Sequence, residues 1–280
     1  MNKQFILSKE QKKIIDKDGF IIFPPNNFVL KNLKKIHKIL ENLITKEKSK
    51  AGWEGKEEYY KKGKPFEKGA RRLGNLINKN DIFKELIVLP EIAQTSEYMV
   101  NNDIKIGAVD FRDPLIGTGN QILHIDWLPR TKHKDPFESV LVQIVLDNTN
   151  KTNGPLRVVP GTHKKLGWPD DHIKNVNLTH KKEKLVFLKK GSIVVINGNL
   201  WHGGTGNISG NKRRIILIDI RNRNLPQLLN QKKYIDKKVL NNLNEYQKYL
   251  LGVRDIDKNQ KEKSFGSGQA YRMKYGRKRD

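Results

Sequence analysis

The spacing of apolar residues divides the chain into regions of different period. Gly19-Phe20-Ile21-Ile22-Phe23-Pro24-Pro25 is a short apolar run closed by prolines, which predicts a strand. Leu30, Leu33, Ile36, Ile39, Leu40, Leu43 and Ile44 then recur at helical spacing, predicting an amphipathic helix within a helical segment over about 28–100. Between about 104 and 222 the period shortens. Ile104–Phe111, Gln121–Trp127, Val140–Leu146, Leu156–Val159, Leu185–Leu188, Ser192–Ile196 and Arg214–Ile220 are short β-rich runs separated by Gly, Pro and Asn turns. Strands at this spacing predict an all-β sandwich or barrel. Ile235, Val239, Leu240, Leu243, Tyr246 and Leu250 return to helical spacing and predict a helix over about 235–251. The basic tail over about 254–280 is expected to be flexible. Residues 50–72 are rich in Gly and Lys and carry Trp53, Tyr59, Tyr60 and Phe66. They read as an irregular surface loop, either a lid over a site or an ordinary connection. With no repeat and no second core, 1–280 reads as a single domain.

Composition narrows the chemistry. At 36% hydrophobic residues a packed core is feasible, and the absence of cysteine excludes disulfides and thiolate ligands. Any metal must then be held by imidazole and oxygen. The early apolar run Phe5-Ile6-Leu7 is too short for a signal core or a membrane span, so a soluble, cytoplasmic protein is expected. The formal net charge is +25, from 55 Lys and Arg against 30 Asp and Glu. Such an excess attracts polyanions by counterion release. The lysines are dispersed, however, without an RNA-recognition, KH or zinc-finger signature, so nucleic acid is not the expected partner, although the charge does not exclude it.

One constellation stands out. His124 and Asp126 lie two apart in the apolar run Leu123-His124-Ile125-Asp126-Trp127, and positions i and i+2 of a strand share a face. A second His-x-Asp, His133-Lys134-Asp135, sits among charged residues just before Pro136 and reads as a turn. The proposed third ligand is His202, after the strand run Gly191–Ile196 and before Gly203-Gly204-Thr205-Gly206. Two imidazoles and one carboxylate on one side of a metal form the facial triad of non-haem Fe(II) oxygenases, with open positions for a chelating co-substrate and O₂. Arg213 opens the strand run Ile215–Ile220 and can offer a bidentate fork to a carboxylate, while Arg214 points to the opposite face and is the rival candidate.

Several blocks, in order, resemble the phytanoyl-CoA dioxygenase family of Fe(II)/2-oxoglutarate-dependent oxygenases. They are Gly19–Pro24, Gln121–Asp126, the segment LDNTNKTNGPLRVVPGTH from Leu146 to His163, and Gly191–Arg213, so the resemblance covers roughly 19–222. It implies a mainly β fold with flanking helices, a double-stranded β-helix of the jelly-roll, cupin-like kind. It implies that His124, Asp126 and His202 ligate Fe(II), that Arg213 pairs with the distal carboxylate of 2-oxoglutarate, and that Gln121 contacts this co-substrate. By pleat parity Gln121 would not share the face of His124 unless a bulge intervenes. The family often carries Ser or Thr two residues after the distal histidine, where this chain has Gly204. The family pattern places His163 outside the triad, in a structural role.

The expected reaction is hydroxylation of an aliphatic C–H of a small molecule, with succinate and CO₂ released. The carboxylate ligand favours hydroxylation over halogenation. Trp127 and Trp201 flank the ligands, and Arg112, Arg130 and Arg157 sit in or near the matched blocks, so all are candidates for substrate contact, the arginines with an anionic group. The alternatives are an oxygenase acting on a nucleic acid or other macromolecule, and a non-catalytic jelly-roll binding protein. The substrate and the oligomeric state are not legible.

Overall fold

The computed structural model describes residues 5–52, 54 and 69–254. Its frame is two antiparallel sheets with helices on one side. The larger sheet has the order β1-β7-β4-β9-β3-β2, formed by β1 (Phe20–Phe23), β7 (Ile193–Asn197), β4 (Ser139–Val145), β9 (Ile215–Asn222), β3 (Ile104–Pro114) and β2 (Ala70–Leu73). The smaller has the order β6-β5-β8, from β6 (Lys184–Val186), β5 (Leu156–Val158) and β8 (His202–Gly204). The predicted strand Gln121–Trp127 is not a regular strand. It meets the small sheet as an isolated bridge between His124 and His202. Its backbone is still tied on both sides, with Gln121 N–H donating to Gly204 O, Leu123 N–H to Val176 O and Asp126 N–H to Gly198 O. The partners lie on different segments, so no continuous ladder forms.

Alternation decides what each face of the large sheet does. Val109, Phe111, Val140, Val142, Ile144, Ile193, Val195, Ile216, Ile218 and Ile220 point outward and are buried under helices. Those helices are α2 (Asn27–Glu47), which buries Val29, Leu33, Ile36 and Leu40, and α4 (Pro90–Val100), with α3 (Asp81–Leu86) beside them. Asn26 caps α2 by accepting from Phe28 N and Val29 N. Between the sheets lies a second apolar cluster of Val145, Leu156, Val158, Val186, Leu188, Val194, Ile196 and Leu200, which closes one end of the interior. The other end is polar.

Three expectations are corrected. The predicted helix over 235–251 is two short helices, α6 (Lys237–Asn241) and α7 (Glu245–Leu250), preceded by a single helical turn, α5 (Gln231–Tyr234). Capping explains the break. Asn244 sits at the start of α7 and forms a capping box with Gln247 that outcompetes a continuous helix. The predicted loop over 50–72 ends in β2, which pairs antiparallel with β3 and adds an edge to the large sheet. Its lid reading falls on residues outside the described ones. Finally, Lys9–Asp18 is a helix, α1, absent from the periodicity reading, with one buried residue, Ile15. Among the described residues no helix is long and apolar enough to cross a membrane.

Candidate metal centre

The backbone delivers three ligand-type side chains to one point. His124 and His202 exchange backbone hydrogen bonds of 3.0 and 3.1 Å, which sets their rings 4.5 Å apart. Asp126, two residues beyond His124, turns to the same side. One ligand atom from each of the three lies within 4.8 Å of the others. His124 Nε2 is 3.6 Å from Asp126 Oδ1, and His202 Nε2 is 3.2 Å from Asp126 Oδ2.

The hydrogen bonds behind the rings settle which nitrogen faces inward. His124 Nδ1 lies 2.8 Å from Ile122 O, and His202 Nδ1 lies 2.9 Å from Leu200 O. A carbonyl only accepts, so each Nδ1 carries hydrogen, and each neutral ring presents the Nε2 lone pair to the centre. Asp126 Oδ2 is enclosed, yet accepts no hydrogen bond of good geometry. A buried carboxylate oxygen facing two imidazole lone pairs is a donor set suited to a divalent cation.

The electrostatics agree. Burial would raise the Asp126 pKa, but His202 and His124 pull it far below the usual carboxylate range. Burial lowers His202, but Asp126 outweighs it and leaves the imidazole above its ordinary value. Without a cation, His202 therefore tends to hold a proton that a metal must displace. Divalent metal uptake should release this proton, and affinity should weaken as pH falls below the raised His202 value, by up to about tenfold per pH unit. Competition titrations with Mn(II) between pH 8 and pH 6 measure this. A pH-independent affinity would contradict it.

A second polar element faces the same interior. Arg213 precedes β9 by two residues on the face of Ile215 and Leu217. It is 4% exposed, and its Nε and Nη2 have no hydrogen-bond partner. Its backbone N–H donates to Asp113 Oδ1 at 3.2 Å. Burial, and then Arg112, push its pKa down to about 9 against the pull of Asp113. An enclosed guanidinium with free donors is a seat for an anion. Gly119 and Gly204 keep that seat open, because a Cβ at either would stand 3.4 or 3.3 Å from Arg213 Nη2. Gln121 is beside it, with Oε1 accepting from Gly204 N at 2.9 Å. The irregular backbone around Gln121 thus overrides the parity objection and brings its amide to the Arg213 end of the site. Arg214 points the other way, into a two-pronged contact with Asp147 and an ion pair with Glu41.

Other sequence candidates are placed elsewhere. His133 is exposed in a turn whose Asp135 carboxylate accepts from Thr131 and Lys132 N–H. His163 is buried against Phe137 and the backbone of Gly19, away from the trio, and burial pushes its pKa down to about 4. Arg130 donates to Asp135 O and His133 O, and Arg157 donates to Gln121 O and Val176 O and meets Glu183. Most of their terminal donors thus serve loop backbone, while Arg157 Nε, without a hydrogen-bond partner, faces Gly203 beside His202. The Trp201 ring packs with Leu123, Ile125 and Val159 on the face opposite His202. Trp127 donates to Glu138 at 2.8 Å and lies under the Arg221 guanidinium at 4.6 Å. Arg221 in turn donates to Asp219, whose buried carboxyl is raised by burial and further by Asp126 and Asp110. Asp110, Asp219 and Arg221 were missed from sequence. For Asp219 and Arg221 the signal was there, since they continue the alternation of Arg213, Ile215 and Leu217.

Residues 15–215 match the family model described as phytanoyl-CoA dioxygenase (PhyH). Among solved structures, the chain is similar to HygX from Streptomyces hygroscopicus with nickel and 2-oxoglutarate bound. The two are 15% identical over 77% of this chain and 87% of that one, with a TM-score of 0.58. SnoK, a non-heme alpha ketoglutarate dependent carbocyclase from nogalamycin biosynthesis, is 15% identical over 79% and 86%, with a TM-score of 0.58. EctD from S. alaskensis with bound Fe is 15% identical over 81% and 80%, with a TM-score of 0.57. These likenesses establish the fold.

Proposed function

The chain belongs to the phytanoyl-CoA dioxygenase family, and on that premise we propose that it is a non-haem Fe(II)/2-oxoglutarate-dependent dioxygenase that hydroxylates an aliphatic C–H of a small molecule. The observation that carries this reading is the trio of His124, Asp126 and His202, with two inward Nε2 atoms and a buried carboxylate oxygen lacking a hydrogen bond. When bound, ferrous ion with 2-oxoglutarate and O₂ supplies the oxidising equivalents that break a C–H bond, with succinate and CO₂ as co-products.

The protein's own contribution is positional. His124, Asp126 and His202 hold the ion on one face, and the carbonyls of Ile122 and Leu200 fix the ring tautomers that make this possible. Arg213 receives the distal carboxylate of 2-oxoglutarate, and Gln121 packs alongside through Gly204. Gly204 replaces a hydroxyl-bearing residue common in the family. The Gln121 amide, which accepts from Gly204 N, occupies the space that such a side chain would need, since a Cβ there would stand 3.1 Å from Gln121 Oε1. The apolar cluster around Val194 and Ile196 closes the base and excludes water.

The frame of this site is a double-stranded β-helix in a single domain. From β3 to β9, with the extended segment at His124 counted in, the chain passes back and forth between the sheets except at β5 and β6, which pair with each other in the small sheet, an order compatible with a jelly roll. A small substrate is supported by the similar structures of HygX with hygromycin B bound and of EctD with 5-hydroxyectoine. Purified protein given Fe(II), 2-oxoglutarate and O₂ should form succinate, faster when a substrate from a small-molecule panel is present. Absence of succinate from protein shown to bind both metal and 2-oxoglutarate would favour a binding protein without turnover.

A further inference from the structure

Arg157 is the middle residue of β5, the central strand of the small sheet. Its neighbours Leu156 and Val158 point into the apolar cluster between the sheets, so alternation turns Arg157 to the outer face. Directly across from it on β8 stands Gly203, next to His202. A Cβ at Gly203 would stand 3.3 Å from Arg157 Nε, 3.1 Å from Gln121 O and 3.0 Å from Ile122 O. The bare glycine therefore lets the guanidinium lie across β8 and reach the segment that carries His124 and Asp126.

What it meets there is backbone. Arg157 Nη2 donates to Gln121 O at 2.6 Å and to Val176 O at 3.3 Å, while Nη1 meets Glu183 at 3.4 Å. Both side chains of this ion pair are enclosed, at 4% and 5% exposed. Glu183 is held in turn by the His180 N–H, which donates to its Oε2 at 3.3 Å. Val176 O also accepts from Leu123 N at 2.9 Å. The Leu123 N–H lies in the same planar peptide as the Ile122 carbonyl. That carbonyl faces His124 Nδ1 at 2.8 Å and sets which nitrogen of the ring points to the centre. Contacts thus run from Glu183 through Arg157 and Val176 to the Ile122–Leu123 peptide, and from there to the His124 ring. Gln121 O, on the same guanidinium, belongs to the peptide immediately before. The segment joins the sheet only as an isolated bridge, so a side chain takes over the orienting role of a ladder. His202 needs no such brace, since it sits in β8 and its ring is held by Leu200 O.

We propose that Arg157, braced by Glu183, is a positioning residue of the metal centre, fixing the two peptide planes between Gln121 and Leu123 and through them the ring of His124. This rests on the reading of His124, Asp126 and His202 as metal ligands. A side chain that orients a ligand from behind is worth about 10- to 100-fold in metal affinity. A lysine at 157 would keep the charge but not the planar fork that spans two carbonyls. With the Ile122 carbonyl loosened, the His124 ring can also carry its hydrogen on Nε2, which lies 3.6 Å from Asp126 Oδ1. A ring in that form offers no lone pair to a metal.

Removing Arg157 alone leaves Glu183 as a buried charge without its partner, which weakens the fold by itself. The test therefore includes a variant that removes both charges. Mn(II) affinity and melting temperature are measured on the full chain for wild type, Arg157→Met, Arg157→Lys and the double variant Arg157→Met with Glu183→Met. All three variants should bind Mn(II) about 10- to 100-fold more weakly than wild type. The double variant should nevertheless melt at a higher temperature than Arg157→Met, so that metal affinity and stability part. Nitrogen NMR of isotope-labelled histidine in the metal-free proteins at alkaline pH gives the second readout. Wild-type His124 should carry hydrogen on Nδ1, and in the variants it should become a mixture of the two tautomers while His202 stays unchanged. Three results would overturn the proposal: a folded double variant whose Mn(II) affinity lies within about threefold of wild type, an affinity that recovers in step with melting temperature, or a His124 tautomer that no variant alters. If wild type binds no Mn(II), the metal reading fails on its own, and the ring tautomers of the metal-free proteins still decide the role of Arg157.

Discussion

His124→Ala and His202→Ala proteins will each lose retention of divalent metal, while His133→Ala will keep it. The reason is geometric. Removing one imidazole leaves a two-donor site, and the remaining Asp126 carboxylate can no longer share its charge with an ion held from three sides. Loss of a partner that merely orients a ligand costs about 10- to 100-fold in metal affinity, so loss of the ligand itself should exceed about 100-fold. Nothing in this requires the fold to fail. His202 and His124 bond to each other through backbone atoms, which the substitution leaves in place. His133 stands exposed in a turn and has no part in the trio. Calorimetric Mn(II) titration of the three variants, with circular dichroism as the control for folding, checks this. Equal loss in all three would mean that the metal site had been placed on the wrong His-x-Asp.

Arg213 and Arg214 are neighbours in sequence and should separate completely in effect. Arg213→Ala removes the buried guanidinium whose Nε and Nη2 lack partners, so it should weaken 2-oxoglutarate binding by about 2–4 kcal/mol, roughly 30- to 1,000-fold. Its folding stability should hold or rise, since a buried cation near Arg112 is lost. Arg214→Ala strands Asp147, which takes both a backbone and side-chain hydrogen bonds from Arg214, and loosens Glu41 on α2. That change should cost about 1–3 kcal/mol of stability and leave 2-oxoglutarate affinity nearly intact. Denaturant melts and co-substrate titrations on the two proteins distinguish the roles. A 2-oxoglutarate defect in Arg214→Ala with none in Arg213→Ala would reverse the assignment of strand faces.

The same strand parity explains how much of the site could be read from sequence. His124 and Asp126 share a face because they are two apart, and Arg213 parts from Arg214 because they are one apart. These are local consequences of an extended backbone. That His202 meets them is a long-range fact, suggested by its place between the strand run Gly191–Ile196 and a glycine-rich turn and sharpened by the resemblance to the family. What stayed hidden depended on partners distant in sequence. The segment Gln121–Trp127 looks like a strand, but it shares its backbone bonds among Gly198, His202, Gly204 and Val176, so only a bridge forms. That irregularity is also what brings Gln121 to the Arg213 end. Strand β2 was obscured by the Gly- and Lys-rich stretch before it. The helix expected over 235–251 satisfies the apolar spacing, but Asn244 caps a new helix through Gln247 rather than serving as an interior residue. Trp201 lies beside His202 in sequence and on the opposite face in space, as alternation requires.

The most direct measurement is a crystal structure of the protein grown with Mn(II) and 2-oxoglutarate under conditions that prevent turnover. One ion should lie about 2.1 Å from His124 Nε2, His202 Nε2 and an Asp126 carboxylate oxygen, with the distal carboxylate of 2-oxoglutarate on Arg213. An ion bound elsewhere, or a 2-oxoglutarate that leaves Arg213 without a partner, would contradict the account.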